Sequence, residues 1–210
     1  MLAVGAHPDD AELGCGGTLA LSKRKGYEVY VLMLTRGEAG GDPNVREKEG
    51  ERAARMLGVD EVFFGSLQDT KVSDGVETIS QIEPMIDSLK PDIVFAPSPK
   101  DQHQDHRKTG LATLSAARNV RKVLLYESPA AFRDFCPQIF VDIDATFGIK
   151  LKALNVFVSQ SSKKPFRRTS SHANSVRVIH ASEGLARFRG FQAGVIVAEA
   201  FEVGKFLFDF

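Results

Sequence analysis

The sequence predicts an α/β fold, a Rossmann-like three-layer sandwich with a mostly parallel central sheet between helices. Three observations carry this. Short apolar, β-branched runs alternate with amphipathic stretches, most regularly over residues 1–125. Glycine or proline stands at several of the joints. The 210 residues are enough for one sizeable core, with neither a repeat nor a convincing linker, so one domain over 1–210 is expected.

The elements follow in order. Leu2–Ala6 reads as a buried strand, and Ala11–Lys25 as a helix closed by Gly26. Glu28–Thr35 is a second strand. Arg46–Leu57 is a charged amphipathic helix ending at Gly58, and Glu61–Gly65 a short strand. Ile79, Ile82, Ile86 and Leu89 recur at helical spacing within Val76–Leu89, and Pro91 follows. Asp92–Pro97 is a strand, Lys108–Asn119 a helix, and Val123–Tyr126 and Ile139–Asp142 are strands. Ile149–Phe157 suits a helix. Lys163–Ser171 is basic and serine-rich and reads as an exposed loop. Gly184–Arg189 and Gly194–Val203 fit either helix or extended chain.

Composition excludes several classes. Lys+Arg and Asp+Glu both number 27, so the chain lacks the electrostatic footprint of a nucleic-acid or anionic-membrane binder. No long apolar stretch opens the sequence, because His7-Pro8-Asp9-Asp10 interrupts it, and Val29–Leu34 is far too short to span a bilayer. Cys15 and Cys136 are not spaced as a zinc knuckle or redox pair. A cytoplasmic protein is expected.

Two segments carry chemistry. His7-Pro8-Asp9-Asp10-Ala11-Glu12 lies where the first strand turns into a helix. Two acids there would serve as caps, but a histidine beside them fits a metal site. Asp101-Gln102-His103-Gln104-Asp105-His106 also follows a strand and precedes a helix. In open parallel sheets, ligands bind beyond the carboxyl ends of the strands. Together the segments supply more donors than a three-ligand catalytic zinc needs, leaving a carboxylate and a proton donor over.

These residues resemble the LmbE-like, or PIG-L, deacetylase family. The likeness begins at Ala6–Gly17 and continues through Thr35–Gly40, Arg46–Gly58 and His103-Gln104-Asp105-His106. It runs on to Ser159-Gln160, Arg189-Gly190 and Ala198–Phe201. Gln104 stands where many relatives have proline, a departure that touches loop stiffness more than chemistry. The resemblance implies removal of an N-acetyl group from an N-acetylglucosamine-type sugar or conjugate. It implies His7, Asp10 and His106 as ligands of one Zn2+ per chain, although the same donors accept other divalent metals. It implies Asp9 as general base, His103 near the developing oxyanion, and Asp105 as orienting or charging a histidine. Arg46 and Asp69 would meet the substrate. It also implies a homo-oligomer, a trimer or hexamer, and Phe206, Phe208 and Phe210 near the chain end need cover.

Two other classes compete: a metal-dependent phosphoesterase and a non-catalytic sugar- or nucleotide-binding module. The donor supply fits one metal better than two, and Asp9 has little use in a pure binding site. Gly14-Cys15-Gly16-Gly17 invites a dinucleotide-binding reading, but Leu19 replaces the third glycine and acids precede the turn. Close helix–sheet packing explains those glycines better. His172 and His180 read as surface or structural. Arg187 and Arg189 are expected to pair with acids at a subunit contact. Glu199, in an apolar stretch, needs a salt-bridge partner or a role behind the metal.

Overall fold

A computed structural model describes residues 1–161 and 173–208. The basic segment Lys163–Ser171 and His172 lie outside the described residues. The first half runs β1 (Leu2–Gly5), α1 (Asp10–Arg24), β2 (Tyr30–Thr35), α2 (Pro43–Leu57), β3 (Glu61–Leu67), α3 (Val76–Leu89) and β4 (Ile93–Pro97). Then come α4 (Gln104–Ala116), β5 (Lys122–Tyr126), β6 (Ile139–Asp142), α5 (Asp144–Leu154), α6 (Val158–Ser161), α7 (Ala173–Ala193) and β7 (Ala198–Phe206).

Among the described residues the strands form one sheet in the order β3-β2-β1-β4-β5-β7-β6. The first five are mutually parallel, with Leu2 of β1 level with Tyr30 of β2 and Val94 of β4. β7 runs antiparallel to both β5 and β6. The mostly parallel sheet is therefore as expected, and the antiparallel strand comes from the region where sequence periodicity was ambiguous.

Period-two alternation divides the core. Leu2, Val4, Leu32, Leu34, Val94 and Ala96 face α3 and α4, meeting Ile82, Ile86, Ala112 and Ala116. Ala3, Val31, Met33 and Phe95 face the opposite way, against Ala11, Cys15 and Leu19 of α1. Both faces of β1 are buried, which is why it reads as a continuous apolar run.

The glycines of α1 do serve packing. A Cβ at Gly14 would stand 2.0 Å from the Tyr126 ring, whose hydroxyl donates to the Val4 carbonyl at 2.9 Å. Farther along α1, Glu199 accepts from the amides of Gly17 and Thr18, and Lys150 donates to the carbonyl of Leu13. Lys150 and Glu199 pair with each other at 2.6 Å, each side chain 3% exposed. The salt bridge expected for Glu199 is thus met, and neither Glu199 nor Lys150 lines the cavity described below.

Several boundaries move for local reasons. α2 begins at Pro43, not Arg46, because Asp42 caps it through the Asn44 amide and proline suits the first helical position. α4 begins at Gln104, not Lys108: the His103 ring accepts from the Asp105 amide and serves as N-cap. α5 starts at Asp144 and ends at Leu154, earlier than the expected Ile149–Phe157. Gly184–Arg189 belongs to α7 and Ala198–Val203 to β7. Within the chain Arg187 pairs with Glu183 and Arg189 with Glu127.

Candidate metal centre and active site

The site lies where the sheet order reverses. The chain builds β1-β2-β3 outward on one side, then returns to lay β4 against the other edge of β1. Loops leaving β1 and β4 therefore diverge, and the crevice between them is where ligands bind in such sheets. The β1 loop carries His7, Asp9 and Asp10; the β4 loop carries Asp101, His103, Asp105 and His106. A cavity of about 410 Å3 opens there. Seven of the eight residues singled out from sequence line it: His7, Asp9, Asp10, Arg46, Asp69, His103 and His106. The eighth, Asp105, is fully buried and bonded to His7.

Asp10 is the hub. Its Oδ2 accepts from the amides of Ala6 and His7 at 2.8 and 2.9 Å. The same oxygen lies 3.5 Å from His7 Nδ1, while Oδ1 lies 3.0 Å from His106 Nε2. The remaining ring nitrogens also face carboxylates. His7 Nε2 is 3.1 Å from Asp105 and 3.0 Å from Asp69. His106 Nδ1 is 3.1 Å from Asp101, close enough for an ion pair though its N–H is not aligned on that oxygen. Acids behind both imidazoles fix ring orientation, as behind metal-binding histidines. Two groups, His7/His103/His106 and His7/Asp69/Asp105, present donor atoms all within 4.8 Å of one another.

The electrostatics call for a cation. Burial disfavours the charged form of His7, but Asp10, Asp105 and Asp69 outweigh it and push its pKa up to about 12. Burial likewise opposes charge on His106, yet Asp10 and Asp101 raise it to about 10. Asp10 is held well below the ordinary carboxylate range, because His106 and His7 overcome its burial. In the metal-free protein, two imidazolium ions balance the surrounding acids. The imidazoles and carboxylates gathered here are donor types that suit a divalent metal of the zinc type.

Asp9 is held differently. Its φ of +122° is a conformation that non-glycine residues rarely adopt, and strain of this kind gathers at functional sites. Burial and the neighbouring Asp10 push its pKa up to about 6. Arg46 lies 3.5 Å from its Oδ1, held in place by the carbonyls of Gly37 and Pro8 at 2.9 and 2.8 Å. Gly37, at φ +66°, lets the guanidinium sit where a Cβ would be. Thr70, also at positive φ, lines the cavity and donates its amide to Asp105.

His103 and Asp105 make separate contacts. Asp105 directs its Oδ2 to His7 and the Thr70 amide. His103 uses Nδ1 as the acceptor in its cap, and burial together with His106 and His7 lowers its pKa. The metal-free protein thus favours a neutral His103, with Nε2 left to donate. Asp69 divides itself between His7 and the Ala39 amide, which, with burial opposing, holds it down to about 2.

Sequence reasoning assigned no role to Asp101. Its carboxylate meets His106, the His103 amide and the Ser128 hydroxyl, so it braces both histidines. Its position two residues ahead of His103 was the available signal; the contact with Ser128 on a distant loop was not legible. Gln160 also lines the cavity. Glu12 is wholly buried with neither oxygen paired, and burial lifts its pKa to about 8.

Comparison with known proteins is decisive about ancestry. Residues 2–117 match the family described as PIG-L, GlcNAc-PI de-N-acetylase. The chain belongs to the PIG-L family. The Escherichia coli relative named uncharacterized deacetylase YaiS is 35% identical over 162 residues, covering 73% of this chain and 88% of the relative. Among solved structures, the conserved protein TT1542 from Thermus thermophilus matches with a TM-score of 0.85 at 30% identity, over 100% of this chain and 96% of that one. The N,N'-diacetylchitobiose deacetylase from Pyrococcus horikoshii matches with a TM-score of 0.82 at 26% identity, over 96% and 82%. This PIG-L chain is, like the relatives so named, an amide hydrolase: a deacetylase whose family-defining segments meet in one cavity.

Proposed function

We propose that the protein is a zinc-dependent hydrolase removing the N-acetyl group of an N-acetylglucosamine-type sugar or conjugate. The observation that carries this is the convergence of His7 Nδ1 and His106 Nε2 on the two oxygens of Asp10, with Asp9 beside them facing Arg46. His7, Asp10 and His106 would hold one metal ion. When bound, the metal would lower the pKa of a water to roughly 7 and polarise the acyl oxygen.

The protein's own groups supply the rest. Asp9 is not committed to the ligand set, and its carboxylate accepts the proton of the attacking water as general base; Asp9 or His103 then delivers a proton to the amine nitrogen as the C–N bond breaks, releasing amine and acetate. Arg46 keeps Asp9 oriented and offers positive charge at the cavity wall. His103 donates from Nε2 toward the oxygen on which negative charge develops. Asp105, Asp69 and Asp101 hold the imidazoles at fixed orientation. Arg46 and Asp69 stand on the side lined also by Gly40 and Thr70, which offers hydrogen bonds to a sugar. A diacetylchitobiose deacetylase among the structural relatives supports an amino-sugar substrate.

The reading takes residues 1–210 as one domain, because β7 from near the chain end completes the same sheet that β1 begins. A cytoplasmic setting is part of the proposal; among the described residues no helix is long and apolar enough to cross a membrane. Phe188, Phe191 and Ile196 are 53%, 83% and 65% exposed, which supports assembly into a homo-oligomer. The test is a screen of N-acetylglucosamine, its oligomers and thiol-linked glycosides, with metal analysis of the same sample. Release of amine with close to one zinc per chain is expected; phosphate release from phosphoesters without amine release would overturn the proposal.

A further inference from the structure

A second, smaller hollow opens off the metal-site cavity. It shares Asp9, Leu13 and Gln160 with that cavity and continues between Leu154, Phe157, Val178 and Ile179. Its volume is about 50 Å3. Apart from Asp9 and Gln160 at the junction, its walls are apolar, so it offers nothing to a sugar hydroxyl. Leu154 and Phe157 are buried at its floor and Val178 is 44% exposed at its rim.

We infer that this hollow is an acyl-chain subsite, and that the protein accepts N-acyl groups longer than acetyl. The inference rests on the deacetylase reading and names the acyl side of the same site. The argument is positional. For Asp9 to serve the attacking water, the scissile carbonyl must lie beside it. The polar wall of Arg46, Asp69 and Thr70 suits the sugar, which leaves the acyl substituent to extend past Asp9 into the apolar hollow. An alkyl group there exchanges water for Leu13, Leu154, Phe157, Val178 and Ile179. Burial of each methylene is worth about fourfold in kcat/KM when it is realised in the transition state. From acetyl to butyryl the gain is roughly fifteenfold, after which the small volume should end the rise.

The test compares N-acetyl-, N-propionyl-, N-butyryl- and N-octanoylglucosamine, with octyl N-acetylglucosaminide as the control for an alkyl chain at the other end. Metal-loaded protein is used, and binding of N-butyrylglucosamine is read separately by calorimetry. The expected result is a rise in kcat/KM through butyryl and a fall at octanoyl. Val178→Phe, which fills the rim at a partly exposed position, should bring the butyryl-to-acetyl ratio down toward one. A flat or falling series from acetyl onward, with acetyl turned over, overturns the subsite and leaves the deacetylase reading standing. A gain for the octyl glycoside alone also overturns it, assigning the hollow to the aglycone. If no N-acyl sugar is hydrolysed and N-butyrylglucosamine does not bind, both readings fall.

Discussion

Asp9 and Asp10 are neighbours in sequence, yet the structure gives them different contacts, and replacing each by asparagine separates the two proposed roles. Asp9→Asn should retain metal. Asparagine is among the residues that best tolerate positive φ, so the strained backbone at +122° survives the exchange. Its oxygen can still face Arg46, 3.5 Å away. What is lost is the ability to accept a proton. General-base catalysis contributes on the order of 10²–10⁴-fold, so kcat should fall by about that factor, with KM little changed. At about 1.36 kcal/mol per decade this is roughly 3–5 kcal/mol of barrier. Asp10→Asn faces another problem. Asp10 Oδ2 accepts two backbone amides while Oδ1 faces His106. An asparagine that keeps its oxygen on the amides turns its NH2 toward the metal position. One that turns its oxygen to the metal points NH2 at two N–H donors. Asp10→Asn should therefore lose metal as well as rate. Zinc content and kcat of both variants on one accepted N-acetyl substrate are the assay. An Asp9→Asn protein with near-parental kcat would refute the reasoning, and so would an Asp10→Asn protein with full metal occupancy.

Other expectations follow from the same geometry. With His7 pushed up to about 12 and His106 to about 10, both rings are protonated in the metal-free protein at pH 7. Metal must displace those protons, so affinity should rise with pH, and about two protons should be released per ion bound at pH 7; calorimetry in buffers of different ionisation enthalpy measures this, and zero release would remove both histidines from the ligand set. Glu199→Ala strands the buried Lys150 ammonium and two α1 amides; a loss of roughly 3–5 kcal/mol is expected in denaturant unfolding, and a change below about 1 kcal/mol would deny the pair its structural role. Gly14→Ala drives a methyl into the Tyr126 ring and should cost about 1–3 kcal/mol in the same assay, whereas a neutral result would mean that α1 sits farther from the sheet. Light scattering at micromolar concentration should report an oligomer, and a monomer would end that part of the proposal.

The regular βα half of the fold was legible because each strand and helix there carries its own period. The antiparallel β7 was not: Ala198–Phe206 gains its identity from pairing with β5 and β6, and a nine-residue run of mixed polarity does not announce its partners. Arg46 and Asp69 came only from the family resemblance, whereas five of the cavity-lining residues, His7, Asp9, Asp10, His103 and His106, were legible because His-Pro-Asp-Asp and His-x-Asp-His concentrate donors just past strand ends. The partners of those donors were not. Which histidine Asp105 faces depends on α4 beginning at Gln104, a boundary set by the ring of His103 acting as cap. Asp101 reaches its bracing role only through contacts with Ser128 and His106, which the loop geometry decides.

Placing β7 between β5 and β6 also sets the order in which the polypeptide can mature. More than fifty residues separate Asp142, the end of β6, from Ala198, the start of β7. At ribosomal speeds of about 5–20 residues per second, β6 waits roughly 3–10 s for the strand that joins it to the sheet. During that interval β5 presents an open edge, the kind of surface on which nascent chains associate wrongly. The residues that close this edge are thus synthesised after the loops that leave β1 and β4, and a chain cut short before Ala198 has those loops already made and the sheet unfinished.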